Sequence, residues 1–243
     1  MIRIAMWSGP RNLSTAMMRS FGARRDTTCI DEPFYAAFLD KTCTDHPLRE
    51  ETLAAHERDP DVVASDLAFG TRDADVFYQK HMTHHMVPGV PKEWMGHVVN
   101  VFLIRHPARV LASYAKKRTA VTLDDIGFTQ QTELFAYVTE ALRQKAVVID
   151  SDDILRAPKE ALSLLCSEIG IPYADDMLSW KKGPRPEDGA WAPHWYDGVW
   201  QSTGFGEPPG PLPDVQGTLG DLCAKALPHY KKLKAQAIPV DCD

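Results

Sequence analysis

Apolar residues along the chain fall into short continuous runs, separated by longer stretches in which they recur every three or four positions. The short runs predict strands, whereas the longer spacing predicts amphipathic helices. The run at residues 98–104 is almost entirely apolar, which is typical of a central strand buried on both faces. The predicted strands are residues 2–7, 27–30, 76–79, 98–104 and 147–149.

Helical patterns follow most of these runs. Pro107 stands where the first turn of a helix tolerates proline, and Gly170 closes the pattern that begins at Pro158. A last amphipathic pattern covers residues 219–233 and is expected to be interrupted by Pro228. Strands that alternate with helices imply βαβ units. The predicted fold class is therefore α/β, with a central, mainly parallel sheet flanked by helices on both sides.

No change of composition and no flexible linker divides the chain, which predicts a single domain over residues 1–243. Residues 183–213 are the exception, because they are rich in Pro, Gly and aromatic residues and follow neither period. A loop of this length in a compact domain is usually functional or disordered. Four of the six Trp lie in or beside it, which argues against disorder, so we expect a lid over the functional site.

Composition narrows the classes of function. The 243 residues include 27 Lys and Arg against 33 Asp and Glu, a formal net charge of −6. This balance argues against non-specific nucleic-acid binding, which needs a basic surface, but leaves room for a local basic pocket that holds one anionic ligand. Hydrophobic residues make up 44% and charged residues 25%, values that exclude a disordered or coiled-coil chain.

Five widely spaced cysteines without a C-x-x-C pair predict free thiols in a reducing compartment. The N-terminus has too short an apolar run for a signal peptide, and no stretch approaches the about 18 apolar residues of a membrane span. We therefore expect a cytoplasmic protein without membrane or nucleic-acid partners, and the sequence leaves its oligomeric state open. The cysteines are Cys29, Cys43, Cys166, Cys223 and Cys242.

Residues 8–15 give the strongest chemical signal. A glycine turn joins the first predicted strand directly to a helix predicted over residues 13–21. Backbone N–H groups and the helix dipole favour an anion there, and Arg11, Ser14 and Thr15 add a positive charge and two hydroxyl groups. A plain strand-to-helix turn with a serine cap is the alternative. The loop lacks the second glycine and the lysine of G-x-x-x-x-G-K-[ST], which weighs against an ATP-dependent kinase.

Residues 7–15 resemble the 5′-phosphosulfate loop of the sulfotransferases, a branch of the P-loop superfamily. The second family signature is an arginine at the end of a strand and a serine eight positions later, which Arg105 and Ser113 match within residues 101–114. Ligands bind beyond the carboxyl ends of strands in open α/β sheets, and an arginine with a hydroxyl group can hold a phosphate. The alternative makes Arg105 a structural ion pair and Ser113 a neutral helix residue.

A third segment, residues 181–183 followed by residues 189–191, is similar to the R-K-G-x-x-G-D-W segment of many sulfotransferases, with a longer spacing and alanine in place of the acidic residue. The resemblance implies a P-loop-type three-layer sandwich that binds 3′-phosphoadenosine 5′-phosphosulfate (PAPS). The donor-binding residues that it implies are Gly9, Pro10, Arg11, Asn12, Leu13, Ser14, Thr15, Arg105, Ser113, Lys182 and Gly183.

The reaction that the resemblance implies is transfer of a sulfuryl group from PAPS to a hydroxyl or an amine of a small molecule. Arg11 and Ser14 would stabilise the negative charge that develops on the oxygen between sulfur and the departing phosphate. A sulfuryl group carries less charge than a phosphoryl group, so no metal ion is expected. Two alternatives use the same scaffold: a kinase-like nucleotide phosphotransferase, and a catalytically inactive nucleotide-binding module.

The acceptor also needs a base, and two positions offer one. Glu32, followed by Pro-Phe, resembles the E-P-[HFL] segment that supplies a carboxylate in several sulfotransferase branches. His81, directly after Lys80, resembles the histidine of the K-x-H-L-P segment of cytosolic sulfotransferases, shortened by one residue. We rank Glu32 first, with His81 or Lys80 as its partner. The candidate catalytic residues are Arg11, Ser14, Glu32, Lys80 and His81.

His81, His84 and His85 stand at helical i, i+3 and i+4 spacing, which could bind zinc. Neither an H-E-x-x-H motif nor a neighbouring cysteine supports such a site. Packing and hydrogen bonding are therefore the favoured roles of His84 and His85, and no metal site is predicted.

Overall fold

The computed structural model describes residues 1–116 and 121–241, and the strands of these residues form one parallel sheet. The strands are β1 (Ile2–Ser8), β2 (Thr27–Asp31), β3 (Val76–Met82), β4 (Val99–Ile104) and β5 (Ala146–Asp150). Their order across the sheet is β2-β3-β1-β4-β5. Because every pairing is parallel, the carboxyl ends of all these strands meet at one edge, with β1 in the centre.

Helices cover both faces of this sheet, which confirms the predicted α/β fold class. The first six α-helices are α1 (Ser14–Gly22), α2 (Tyr35–Thr42), α3 (Arg49–Ala55), α4 (Pro60–Phe69), α5 (Pro107–Tyr114) and α6 (Leu123–Ile126). The others are α7 (Phe128–Ala136), α8 (Ser151–Arg156), α9 (Pro158–Ile169), α10 (Ala192–Trp195), α11 (Asp197–Trp200) and α12 (Gly217–Lys234). A π-helical turn at Tyr137–Ala141 follows α7, and 3₁₀ turns lie at Thr83–His85, Glu93–His97 and Asp175–Leu178.

The alternation of side chains along β1 divides the core into two apolar layers. Ile4 and Met6 pack on one face of the sheet with residues from α1 and α9. Ala5 and Trp7 pack on the other face with residues from α4 and α7. All four side chains are completely buried, so the sheet is the middle of three layers, as its continuous apolar run implies.

The C-terminal helix departs from the prediction, because α12 continues through Pro228 without a break. A proline inside a helix removes one backbone hydrogen bond. Here α12 packs against both α5 and α7, and Tyr230 donates a hydrogen bond to Asp150 at 2.7 Å. Tertiary packing therefore holds the helix together where its local sequence favours an interruption.

The irregular segment 183–213 is anchored to the body of the protein through Asp188. Both carboxylate oxygens of Asp188 accept hydrogen bonds from Nη2 of the buried Arg19, at 2.6 and 2.7 Å. Trp200 adds a hydrogen bond from its indole N–H to the same carboxylate at 3.0 Å. The segment thus has a fixed path over α1, and its action as a lid stays a prediction.

The cysteines that the structure describes are free thiols, and Cys242 lies outside the described residues. Within residues 1–116 and 121–241, no helix has both the length and the apolar character that crossing a bilayer requires.

Candidate functional site

A cavity of about 250 Å³ opens at the carboxyl edge of the sheet. The loop after β1 lines one end together with Arg105, the residue after β4. Glu32, the residue after β2, and Met82, the last residue of β3, line the other end. Residues of the segment 183–213 close one side. Open α/β sheets bind ligands in this position.

The loop between β1 and α1 has an unusual backbone. Arg11 and Leu13 have φ angles of 59° and 66°, in the left-handed region that residues with side chains rarely adopt. Turns with left-handed residues can gather successive N–H groups into an anion-binding concavity, and α1 begins directly after it. Except for Gly9, every loop residue predicted to bind the donor lines the cavity, namely Pro10, Arg11, Asn12, Leu13, Ser14 and Thr15.

Two of these loop residues hold the loop in place. Gly9 packs against the end of α6, where an added Cβ would overlap the carbonyl oxygen of Ile126. The side chain of Asn12 is buried and donates to the carbonyl oxygen of Leu103 at 2.8 Å, which ties the loop to β4. The glycine is therefore needed for close packing rather than for a positive φ.

The structure brings the two arginines and Ser113 together. Nε of Arg11 donates to Oγ of Ser113 at 3.0 Å, and Nη1 of Arg105 donates to the backbone carbonyl of Arg11 at 2.8 Å. All three residues line the cavity. Arg105 is bound to the loop, and among residues 1–116 and 121–241 it forms no ion pair with an acidic side chain, which was the structural alternative for this residue.

Electrostatics favours an anion between these arginines. Burial lowers the pKa of both Arg11 and Arg105, since a cation loses hydration in this environment. Nε of Arg105 is buried and has no hydrogen-bond partner in the part of the chain that the structure describes. An anionic group bound here would relieve both conditions, because it would supply a countercharge and an acceptor.

At the other end of the cavity, a buried lysine joins two carboxylates and a tyrosine. Nζ of Lys80 donates to Asp31 at 2.8 Å, to Tyr196 at 2.7 Å, and to Oε1 of Glu32. The hydroxyl of Tyr196 in turn donates to Asp31 at 2.6 Å, and the N–H of Gly189 donates to the same oxygen at 3.2 Å. Asp31 therefore anchors the segment 183–213.

This network shifts the pKa values of Glu32 and Lys80. Burial raises the pKa of Glu32, and the charge of Lys80 offsets part of that rise. Burial would lower the pKa of Lys80, but Asp31 and Glu32 together outweigh it, so the pKa rises and the lysine stays cationic. A carboxylate with a raised pKa that lines a cavity is a candidate proton acceptor.

The structure places His81 away from the cavity, in contrast to the hypothesis that it is the base. Consecutive residues of β3 point to opposite faces, so the neighbour of Lys80 enters the other apolar layer. The His81 ring stacks on Trp7 at 4.4 Å and contacts Trp94. Burial there lowers the pKa of His81 to about 3. His81 is thus a neutral packing residue without access to the cavity.

Lys182 and Gly183 also lie outside the cavity lining. Lys182 is exposed, and Gly183 has a φ of 101° and donates its N–H to the carbonyl of Trp200 at 2.8 Å. The same segment instead contributes some of the aromatic residues for which a lid was expected, together with Val199. Those that line the cavity are Trp191, Trp195, Tyr196 and Val199.

His84 and His85 do line the cavity, beside Tyr35 and His46. They belong to the 3₁₀ turn after β3, at the same edge of the sheet as the loop between β1 and α1. Their position directly after a strand is the signal that could have identified them. The described residues contain no group of three or more acidic, histidine or cysteine side chains arranged to hold a metal ion.

Comparison with known proteins adds the family. The model of a sulfotransferase domain matches residues 2–237. Among curated proteins, branched-chain-amino-acid aminotransferase-like proteins 1 and 2 of Arabidopsis thaliana are 37% and 35% identical to the chain. The matches cover 96% and 95% of this chain but 41% of each relative, so the chain spans about two fifths of their length.

Solved structures resemble the fold. The sulfotransferase domain of the Synechococcus PCC 7002 olefin synthase has a TM-score of 0.58 at 13% identity, over 98% of this chain and 96% of that chain. A sulfotransferase from Alicyclobacillus acidocaldarius also has a TM-score of 0.58, at 12% identity, over 97% and 95% of the two chains. These matches extend the likeness over the whole architecture described above.

Proposed function

Because the chain belongs to the sulfotransferase domain family, we propose that it transfers a sulfuryl group from PAPS to a hydroxyl or an amine of a small molecule. One observation carries the proposal: a single cavity joins the phosphate loop and Arg105 to the carboxylate of Glu32. The first end is suited to a nucleotide with two anionic groups, and the second to a neutral acceptor that must lose a proton.

The donor end is assigned residue by residue. The loop residues 10–15 are proposed to hold the 5′-phosphosulfate, whose charge the N-terminus of α1 and Arg11 both favour. Arg105 and Ser113 are proposed to hold the 3′-phosphate, with the free Nε of Arg105 as one donor. Arg11 of the first proposed phosphate site donates a hydrogen bond to Ser113 of the second, so the two proposed sites are neighbours.

The acceptor end supplies the base. A lone pair of the acceptor attacks sulfur, the bond between sulfur and the bridging oxygen breaks, and its electrons leave with adenosine 3′,5′-bisphosphate. Glu32 takes the proton of the acceptor on the oxygen that does not contact Lys80. Arg11, Ser14 and the loop N–H groups stabilise the charge on the bridging oxygen. Lys80 orients Glu32 and favours its ionised form, because its charge lowers the pKa that burial raises.

Thermal denaturation in the presence of nucleotides tests the donor site. Adenosine 3′,5′-bisphosphate at a hundredfold excess over its Kd stabilises by about 2.7 kcal/mol. In a chain of this size, that shift is about 5–10 °C in Tm. We expect this shift in the wild type but not with AMP, and we expect its loss in Arg105→Ala. Arg156→Ala is the matched control, because Arg156 pairs with Asp153 outside the cavity.

Product formation separates the proposal from its alternatives. Transfer of labelled sulfate from PAPS to an acceptor supports it. Magnesium-dependent turnover of ATP without turnover of PAPS would instead identify a nucleotide phosphotransferase. Binding of adenosine 3′,5′-bisphosphate with no transfer to any hydroxyl or amine tried would favour an inactive binding module. No shift with the bisphosphate would contradict the donor assignment itself.

A further inference from the structure

The two carboxylate oxygens of Glu32 have different surroundings. Oε1 contacts the Lys80 ammonium, whereas Oε2 lies 3.9 Å from Nε2 of His85. This separation is too long for a direct hydrogen bond. Polar atoms at such a distance are commonly bridged by one intervening oxygen. Glu32 and His85 both line the cavity, so a molecule bound in the cavity can contact both residues.

His85 is held rigidly in this position. Its ring is 2% exposed and stacks on Tyr35 at 4.7 Å with an interplanar angle of 2°, while Phe38 stacks on it at 4.9 Å. Its Nδ1 is buried without a hydrogen-bond partner among the described residues. The ring therefore keeps its nitrogens in fixed positions beside Glu32, and the packing around it does not engage Nδ1 in a hydrogen bond among the described residues.

The chemistry of His85 follows from its burial. Burial and the nearby histidines lower its pKa well below the usual value, so the imidazole is neutral at neutral pH. A neutral imidazole has one N–H donor and one acceptor nitrogen. The Glu32 carboxylate faces Nε2, and its negative charge favours the tautomer with the proton on that nitrogen. His85 thus presents an N–H to the space beside the base.

We propose that His85 binds the acceptor: its Nε2–H donates to the acceptor hydroxyl oxygen, while that hydroxyl donates its proton to Oε2 of Glu32. An oxygen about 2.8 Å from both atoms closes a triangle on the 3.9 Å separation, with an angle of about 90° at the oxygen. This assignment rests on the proposed function and refines it.

The bridging arrangement selects hydroxyls over amines. A hydroxyl oxygen has two lone pairs, so one can accept from His85 while the other forms the new bond to sulfur. The proton moves to Glu32, and the electrons of the broken sulfur–oxygen bond leave with adenosine 3′,5′-bisphosphate. A neutral amine has a single lone pair, which the hydrogen bond from His85 would occupy. His85 therefore opposes attack by an amine.

The tautomer of His85 tests the proposal without any acceptor. Full-length protein labelled with ¹⁵N-histidine gives ring nitrogen shifts and long-range ¹H–¹⁵N couplings for each imidazole. The His85 signals are those absent from His85→Gln. We expect a neutral ring with its proton on Nε2. A proton on Nδ1 would overturn the proposal, because Nε2 would then have no proton to donate to the hydroxyl. A charged ring at pH 7 would also overturn it, because the proposal requires a neutral imidazole.

Kinetics with phenol and aniline as acceptor probes tests selectivity. These probes share one ring, are uncharged at pH 7 and differ in the attacking atom. We expect His85→Phe to lower kcat/KM for phenol about tenfold, the equivalent of one lost hydrogen bond, without lowering kcat/KM for aniline, so the phenol preference falls by about tenfold or more. His85→Gln, whose side chain again offers an N–H, should keep most of the wild-type kcat/KM for phenol. His97→Phe is the control, because His97 is exposed and does not line the cavity.

Two failures are distinguishable in this design. Absence of a thermal shift with adenosine 3′,5′-bisphosphate in the wild type contradicts the proposed function. A normal shift together with an unchanged ratio of phenol to aniline turnover in His85→Phe contradicts only the role of His85. Loss of bisphosphate binding in His85→Phe would also count against it, because His85 lies at the other end of the cavity from the donor residues.

Discussion

Replacing Lys80 by methionine tests the buried network most directly. Lys80 is 1% exposed and holds together Asp31, Glu32 and Tyr196. Methionine keeps most of the side-chain length but removes the charge, which leaves two buried carboxylates without their cation. Removing one partner of a buried ion pair costs about 3–5 kcal/mol. This is a large part of the about 5–15 kcal/mol that stabilises a typical protein.

The loss should depend on pH, and its direction follows from Glu32. Burial already raises the pKa of Glu32, and without Lys80 the pKa rises further because the offsetting charge is gone. An unfolded glutamate titrates near about 4.3. Between that value and the raised pKa of the folded state, the folded protein binds the extra proton, so stability falls as pH rises through this window. The variant should therefore lose more stability at pH 8.5 than at pH 5.5.

Urea unfolding followed by Trp fluorescence at these two pH values measures the effect. We expect a loss of about 3–5 kcal/mol at pH 8.5 and a smaller loss at pH 5.5. Lys145→Met is the control, because Lys145 pairs with Glu168 at the surface, where an ion pair contributes less than about 1 kcal/mol. Equal losses at both pH values, or a loss under about 1 kcal/mol at pH 8.5, would refute the reasoning.

Three further predictions concern the proposed reaction and its loop. Glu32→Gln should lower kcat by a factor of about 10²–10⁴ and keep bisphosphate binding, whereas His81→Phe should leave turnover unchanged. Steady-state assays measure both effects, and the reverse result would identify His81 as the base. Gly9→Ala should cost about 1–3 kcal/mol in urea unfolding, because its Cβ would overlap Ile126, and a neutral result would contradict that contact. Turnover should be unchanged by EDTA, and a loss that magnesium restores would show a metal requirement.

The sequence predicted the fold because its signals are local. Each predicted strand corresponds to a strand of the sheet, and the alternation with helices implied parallel pairing. The sequence identified the loop at residues 8–15 and Arg105 because each is recognised from its local pattern. A glycine turn before a helix, or an arginine after a strand, indicates an anion site without any knowledge of tertiary contacts. The sequence left helices α3 and α4 between β2 and β3 unassigned, and it expected a break at Pro228 that packing prevents.

The acceptor end was less predictable for two physical reasons. The third strand was predicted to end at Gln79, where the short β-type run stops; in fact β3 continues to Met82. A strand predicted to continue through residues 80–82 would have put Lys80 and His81 on opposite faces of the sheet. It would also have made His84 and His85, which directly follow that strand, the candidate site residues. The burial of Lys80 itself depends on Tyr196, which is 116 positions away in sequence and lies in a segment without periodicity.

The attachment of the segment 183–213 to Asp31 has a consequence for engineering. Gly189 and Tyr196 donate to the carboxylate that shares Lys80 with Glu32. A grafted loop of new shape that lacks these two donors would remove hydrogen-bond partners from Asp31, and so disturb the lysine that contacts the proposed base Glu32, while it reshaped the pocket. Chimaeras made to broaden substrate range should therefore transplant the tips of this segment and leave its two attachment points as they are.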